Sequence, residues 1–444
     1  MSASASRLGS AEVAAVAAEI GRRVAGPVAD EVDRDARFPA ETVAELRRSG
    51  LLGVLVPEER GGAGASVQEL GQAVAALAEY CASSGLVLAM HGIQVACLVR
   101  HAEPATLDRV VPGLLSGELL LANANSEVGL GGERRTSLCA LEPADRGAPG
   151  SGDGDGDGDG GGDGQPAHEA GRNGHDPGDP RGPGGSRDPG DPRDPGRRVL
   201  RLEKRASTVS YGEHADGVLA TARRAPDSPP HEQVFAVCLA PDYTLVPDGE
   251  WDTLGLRGTC SRPALLTATL DPQLVIDNYA DVFARTSLGA SAILLSSVWL
   301  GIAEAAARRA HAVVRAQGRK LRAANPDAPP PPGALRLAEL TVVLHQLRAV
   351  VAHGAGEYER LKDTPEIATL RFSGHMDSVK VSSSTLVNDI VRQAMAICGL
   401  PGYFNTTPAS LGRLARDAAA APLMVNNDRA LLANAQSLLV RKEL

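Results

Sequence analysis

Aromatic side chains are scarce: Phe, Trp and Tyr together make up 3% of the chain, although 43% of its residues are hydrophobic. A core without large rings has to be built from Ala, Leu and Val, which suits close-packed helices. Paired cysteines are missing as well. Cys81, Cys97, Cys139, Cys238, Cys260 and Cys398 show no CxxC spacing and each lies in an apolar stretch, so they read as buried free thiols rather than as a disulfide framework or metal ligands. The opening residues, MSASASRLGS, lack the basic-then-apolar order of a secretion signal, and no run reaches the ~20 apolar residues of a membrane span. A cytoplasmic protein with no membrane partner is expected. Positive charge is not in excess either. Of the formal charge of -9, a net -7 falls between Ala144 and Gly196, with twelve Asp and Glu against five Arg. The remaining -2 gives no electrostatic case for nucleic acid.

That acidic stretch has an absence of its own. Pro143–Gly196, with GDGDGDGDGGGDG and DPGDPRDPG, contains no Val, Leu, Ile, Met, Phe, Tyr or Trp. It cannot bury enough apolar area to order itself, so a disordered insertion over 143–197 is expected. The alternating Asp invites a calcium reading, but a calcium β-roll needs an apolar residue in each turn. No metal site is expected.

What is present falls into three parts. From about Glu12 to Leu115 the periodicity is helical, with Pro39 placed to open one helix, Gly50 to stop it, and Ser66 and Glu69 at capping-box spacing. LVLAMHGIQVACLVRHA is apolar on most sides and so central to its bundle; His91 and His101 on it read as core or edge histidines. After Gly117 come short segments rich in Val, Leu and Thr: LLLANAN, RTSLCAL, RVLRLEKRASTV, DGVLATARR, EQVFAVCLAP and ALLTATL. They predict a small antiparallel β-domain. From Tyr279 the chain is helical again, with a long helix ending before Pro329–Pro332, then a seam of Leu337, Leu340, Leu344, Leu347 and Val351. Further helices are expected from Ser382 to Cys398, Leu411 to Ala421 and Asp428 to Leu439. The fold class is α+β, mostly α: a helical domain over 1–117, a β-domain over 118–275 and a four-helix bundle over 276–444.

Several motifs fall in a fixed order along these parts: SEVGLGGE from Ser126, TVSYGEHAD from Thr208, EWDTLGLRGTCSR from Glu250, RAQG from Arg315, and AICGLPG from Ala396 followed by Arg416-Asp417. In this order they resemble the acyl-CoA dehydrogenase flavoproteins over essentially the whole chain apart from the insertion. The resemblance implies FAD as cofactor. It assigns Ser126 and Gly131 to a loop on the flavin's pyrimidine side, and Ser210, with the backbone at Val209, to the hydroxyl near flavin N5. Reduction puts charge and a proton on N5, and a small donor can follow it. Thr208 falls where many members place an aromatic. Arg315 takes the place of an arginine that reaches the dinucleotide of a neighbouring subunit, where paired guanidinium donors suit pyrophosphate. Arg319 and Lys320 are substitutes for it. Gly399 and Gly402 form the glycine turn at the flavin, with Ala396 at a position usually held by glutamine, and Asn427 closes the site.

The same resemblance places the catalytic glutamate eight residues after Asp417, and there the chain has Val425. The alternative position on the first long C-terminal helix holds Ser291; nearby Asp428 reads, with Asn427, as a helix cap. The catalytic base is therefore unassigned. The full-length resemblance puts first an FAD-dependent dehydrogenase acting on the CH-CH group of an acyl thioester on CoA or a carrier protein; the alternative is a flavin monooxygenase that needs no α-proton base, and a silent thioester-binding relative comes last. Implied partners are electron-transfer flavoprotein or a flavin reductase, and a second copy in a homodimer or homotetramer.

Overall fold

The Ala- and Leu-rich runs become helices and the short Val, Leu and Thr segments become strands, in the order helix, strand, helix. The structure, a computed structural model, describes residue 9 and residues 12–130, 135–145 and 198–441. The insertion expected over 143–197 lies almost wholly outside these residues. The chain divides into two units. Of the smaller, Pro143–Val199, the described residues are the end of one strand and the start of another.

In the larger unit, α1 (Val13–Ile20), α2 (Gly26–Arg34), α3 (Ala40–Arg48), α4 (Val67–Ala78), α5 (Ala82–His101) and α6 (Pro104–Ser116) come first. Pro39 sits at the N-cap of α3 and Gly50 follows its end with φ +78. The capping box closes reciprocally: Glu69 N donates to Ser66 Oγ at 3.1 Å, and Ser66 N donates to the Glu69 carboxylate at 2.8 Å. Helix α5 is buried from Ala82 to Ala89 and again from His91 to Leu98.

Eight strands follow among the described residues: β1 (Leu121–Ala124), β2 (Leu141–Asp145), β3 (Arg198–Ala206), β4 (Gly217–Arg223), β5 (Gln233–Leu239), β6 (Tyr243–Pro247), β7 (Ala264–Leu270) and β8 (Val275–Ile276). They form two four-stranded sheets, β1-β4-β5-β8 and β2-β3-β7-β6. The first is mixed, because β1 runs parallel to β4 with Leu121 opposite Gly217. RTSLCAL is not a strand as expected, and only Leu141 enters β2. The reason lies in its backbone. Ser137 N donates to Pro230 O, and the N–H groups of Leu138 and Cys139 donate to the Glu127 carboxylate, so they are diverted from a ladder. Strands β6 and β8 have no counterpart among the expected segments.

The last part comprises α7 (Tyr279–Val282), α8 (Leu288–Ala324), α9 (Gly333–Leu361), α10 (Leu370–Cys398), α11 (Leu400–Tyr403), α12 (Gly412–Ala419) and α13 (Asn427–Val440). Helix α10 starts twelve residues earlier than Ser382, because the Thr369 hydroxyl caps it by accepting from Phe372 N at 3.3 Å. Leu340, Leu344, Leu347 and Val351 are buried and Leu337 packs on the core, so this seam closes within the chain and does not itself call for a second subunit. Apolar surface is left open on α13, at Leu431, Leu432, Leu439 and Val440. By length and composition alone, α5 and the segment Tyr279–Ala324 are apolar enough to cross a membrane; 89% and 94% of their apolar windows are buried inside the protein, as in core helices.

Candidate functional site

Three loops at one edge of the β-domain bring the expected hydroxyls together. Ser126, just after β1, donates from Oγ to Thr208 O and accepts from Thr208 N, both at 3.2 Å. Val209 and Tyr211 are clamped to the loop before β7, through Val209 N to Arg262 O at 3.0 Å and Tyr211 N to Thr259 O at 2.7 Å. Ser210 lies between the two clamps, half-buried, and accepts from Ser261 Oγ at 2.9 Å. These loops are strained. Tyr211, Leu256 and Cys260 have φ of +44°, +54° and +45°, in the left-handed region that non-glycine residues avoid. Backbone strain of this kind persists where the surroundings over-determine it and clusters at functional sites.

The Ser126 loop is anchored from beneath by an ion pair that the sequence reading missed. Lys204 and Glu127 are both buried, with Nζ and Oε2 3.4 Å apart, and Lys204 Nζ also donates to Thr221 O at 2.7 Å. Burial alone would raise the Glu127 carboxyl; the Lys204 ammonium and the N–H groups of Cys139 and Leu138 outweigh it and hold the carboxyl below its usual range. A signal was present in the sequence. With Leu202 and Ala206 buried on β3, the two-residue period puts Lys204 on the same inward face.

On the helical side, Val425 is half-buried, packs on the core and has φ +49. Asp428 is exposed, and Ser291 on α8 is a neutral hydroxyl, 9% exposed. Asp417 is buried and accepts from Leu256 N at 2.7 Å. The cap of α13 is Asn426, whose Oδ1 accepts from Asp428 N and Arg429 N, rather than Asn427-Asp428 as expected. Asn427 instead faces α10 and is tied to it: its Oδ1 accepts from buried Lys380 at 2.6 Å and from Ser384 at 3.1 Å.

Arg315 is exposed on α8. Close by, a cavity of about 600 Å3 is lined by Gln317, Lys320, Arg336 and Ala396, so two other cations, neither in an ion pair among the described residues, face this space. Gly399 stops α10 with φ +62 and ψ -146, a conformation open to glycine, and a Cβ there would meet nothing within 4 Å. At Gly402 a Cβ would stand 2.6 Å from that of Cys398, so the glycine serves local packing. Gly131 lies outside the described residues. Ser210, which accepts from Ser261 and keeps its own proton, and the cations Lys320 and Arg336 at the cavity on the helical side are groups of the kind a flavin dinucleotide needs.

Residues 10–118 match the acyl-CoA dehydrogenase N-terminal domain and residues 282–424 the C-terminal domain, together more than half of the chain. The protein belongs to the acyl-CoA dehydrogenase family of flavin oxidoreductases, and its fold is a flavin-binding one. Among curated relatives it is 32% identical over 107 residues to acryloyl-CoA reductase (NADH) from Anaerotignum propionicum, covering 24% of this chain and 27% of that protein. It is 31% identical over 106 residues to the short-chain-specific acyl-CoA dehydrogenase of Clostridium acetobutylicum, covering 24% and 28%. The chain thus spans little more than a quarter of these relatives' length. In fold it is similar to FMN-bound dibenzothiophene monooxygenase from Paenibacillus sp. A11-2, with TM-score 0.72, 20% identity, and 96% of this chain and 97% of that one covered. Butyryl-CoA dehydrogenase from Megasphaera elsdenii gives TM-score 0.72, 18% identity, and 97% and 98% coverage. Identities of this size speak to the fold alone.

Proposed function

We propose that the protein is a flavin monooxygenase on the dehydrogenase fold, with FAD as cofactor. Val425 carries this reading. Desaturation of an acyl thioester starts with a carboxylate removing the α-proton, and the turn that would present it offers a half-buried valine instead. Bound flavin supplies two-electron transfer and activation of dioxygen. The chain's own residues bind and orient: Ser126 and Ser210 offer hydroxyls at the β-domain edge, while Lys320 and Arg336 suit the pyrophosphate and adenylate half of a dinucleotide. That second half-site favours FAD over FMN and, with the open apolar residues of α13, supports a homodimer or homotetramer. Electrons would come from a flavin reductase or an electron-transfer flavoprotein.

The similarity to dehydrogenases and reductases of CoA esters favours a second reading, desaturation of an acyl thioester on CoA or a carrier protein. One experiment separates the two. FAD-loaded protein is mixed under nitrogen with a panel of acyl-CoAs and acyl carrier proteins, without NAD(P)H. Unchanged flavin absorbance is expected for the monooxygenase; bleaching by any thioester overturns it and establishes the dehydrogenase.

A further inference from the structure

Helix α5 and strand β1 meet in an interface that is almost sealed. Between Ala82 and Leu98 every residue of α5 is buried except Met90, and in β1 every residue is buried except Asn123. One side chain joins the two exceptions. Gln94, 1% exposed, donates from Nε2 to Met90 O at 3.2 Å and accepts on Oε1 from Asn123 Nδ2 at 3.3 Å. Met90 and Gln94 are four residues apart and so share a face of the helix, which makes Met90, Gln94 and Asn123 the lining of one opening.

The amide of Asn123 can point only one way. Its Oδ1 accepts from Asn125 N at 3.2 Å, and a backbone N–H has nothing to offer an amide nitrogen, so the Nδ2 end is turned to Gln94. Gln94 is fixed in turn, because the Met90 carbonyl takes its Nε2 end. Asn125 is 8% exposed and is held by its own bond from Nδ2 to Tyr279 Oη at 3.1 Å. An amide nitrogen carries two N–H groups, and Asn123 uses one on Gln94; the other makes no hydrogen bond among the described residues. The opening therefore presents one oriented N–H donor beside a thioether, and none of its three side chains is charged. Asn123 stands three residues before Ser126, at most about 10 Å away along an extended chain, which a two-ring molecule can span.

We propose that Asn123 is a specificity-determining residue that donates to a carbonyl or similar lone-pair oxygen of a neutral substrate, whose apolar part rests on Met90. Gln94 is the positioning residue that aims the donor. The inference rests on the flavin reading above, which puts Ser126 beside the cofactor. An ionic substrate is disfavoured, because an ion brought against Met90 finds no counter-charge in the opening to offset its lost hydration.

The test measures by calorimetry the binding of three like-sized probes, indanone, indane and indane carboxylate, to the FAD-loaded full chain in wild type, Asn123→Leu, Gln94→Leu and Met90→Phe. In Asn123→Leu the preference for indanone over indane should fall about fivefold, the worth of one neutral hydrogen bond. Gln94→Leu frees the amide to turn and should lower the same preference with Asn123 still in place; it carries the test if Asn123→Leu does not fold. Met90→Phe fills the opening from the other wall and should weaken both neutral probes while keeping their ratio. A preference unchanged in Asn123→Leu, or in Gln94→Leu where that variant alone folds, overturns the inference. So does failure of both neutral probes to bind wild type, or tightest binding of the carboxylate. Wild type that takes up neither FAD nor FMN overturns the flavin reading itself, whereas a wrong probe preference with FAD bound leaves that reading intact.

Discussion

Asp417 on α12 accepts a hydrogen bond from the backbone of Leu256 at 2.7 Å, across 161 residues of chain. Beside it the carbonyl of Arg416 stands 2.1 Å from where a Cβ on Gly255 would be. Two motifs read separately in the sequence, EWDTLGLRGTCSR and the Arg-Asp pair, are the two halves of one contact. Gly255→Ala must push backbone from backbone, and overpacking of this kind costs about 1–3 kcal/mol. A lower melting temperature with reduced FAD uptake is the expected result; an unchanged melting curve would show that the loops yield freely.

Asp417 also makes stability depend on pH. Burial raises its carboxyl to about 6, against the pull of Arg413 and the Leu256 N–H. The folded state therefore holds the proton more tightly than the unfolded chain, whose carboxyl titrates near 3.8. This contribution is favourable at low pH and is lost as pH rises from about 4 to about 6, by at most about 3 kcal/mol. Asp417→Asn should remove that slope from urea titrations run across the window. The level will differ too, because Arg413 loses its carboxylate neighbour, so the slope is the readout.

His91 acts in the opposite sense. Leu121 N donates to its Nδ1 at 3.0 Å and Nε2 donates to Leu52 O at 2.9 Å, which requires the neutral ring. Burial pushes its pKa down to about 4 from 6.5. The unfolded chain takes up the proton first, so stability is complete above 6.5 and falls as pH drops towards 4, by about 3 kcal/mol at most. His91→Gln retains a donor and an acceptor and should flatten this acid limb in the same titrations.

Lys204→Met leaves Glu127 charged and buried without its partner. Breaking a buried pair from one side costs about 3–5 kcal/mol. Lys204→Met with Glu127→Gln should recover part of the loss. A single substitution that leaves the melting temperature unchanged would mean that Glu127 takes up a proton at little cost.

Val425→Glu places a carboxylate against the core, at several kcal/mol for an unpaired buried charge. If the protein is a monooxygenase, the variant melts lower and no acyl-CoA bleaches it under nitrogen. Bleaching by the variant but not by wild type would reveal a thioester pocket still intact around a position that lacks its base.

Local chemistry made much of the architecture legible in advance. The Ser66–Glu69 box, the stop at Gly50, and β3, β4, β5 and β7 follow from caps, periods and turn residues that act over a few positions. RTSLCAL has strand composition, but a carboxylate from another loop claims its N–H groups, and composition does not record that. The α9 seam was visible as a seam; which surface closes it is a property of the packed chain. The motif order singled out Ser126 and Ser210 as candidates. It did not reveal the hydrogen bonds from Ser261 to Ser210, between Ser261 and Thr259, or from Lys380 to Asn427, which form only when distant loops meet.

The turn at Val425 is held from both sides. Asn426 caps α13, Asn427 is fastened to Lys380 and Ser384, and the backbone between α12 and α13 keeps a left-handed residue that a β-branched side chain disfavours. The shape is thus imposed by its neighbours and not by the residue that occupies it. Position 425 has the form of a socket: its backbone is set by Asn426, Asn427 and their partners rather than by its own side chain. If position 425 is the one that decides the proposed reaction, a single side-chain change there could alter the chemistry without rebuilding the turn that carries it.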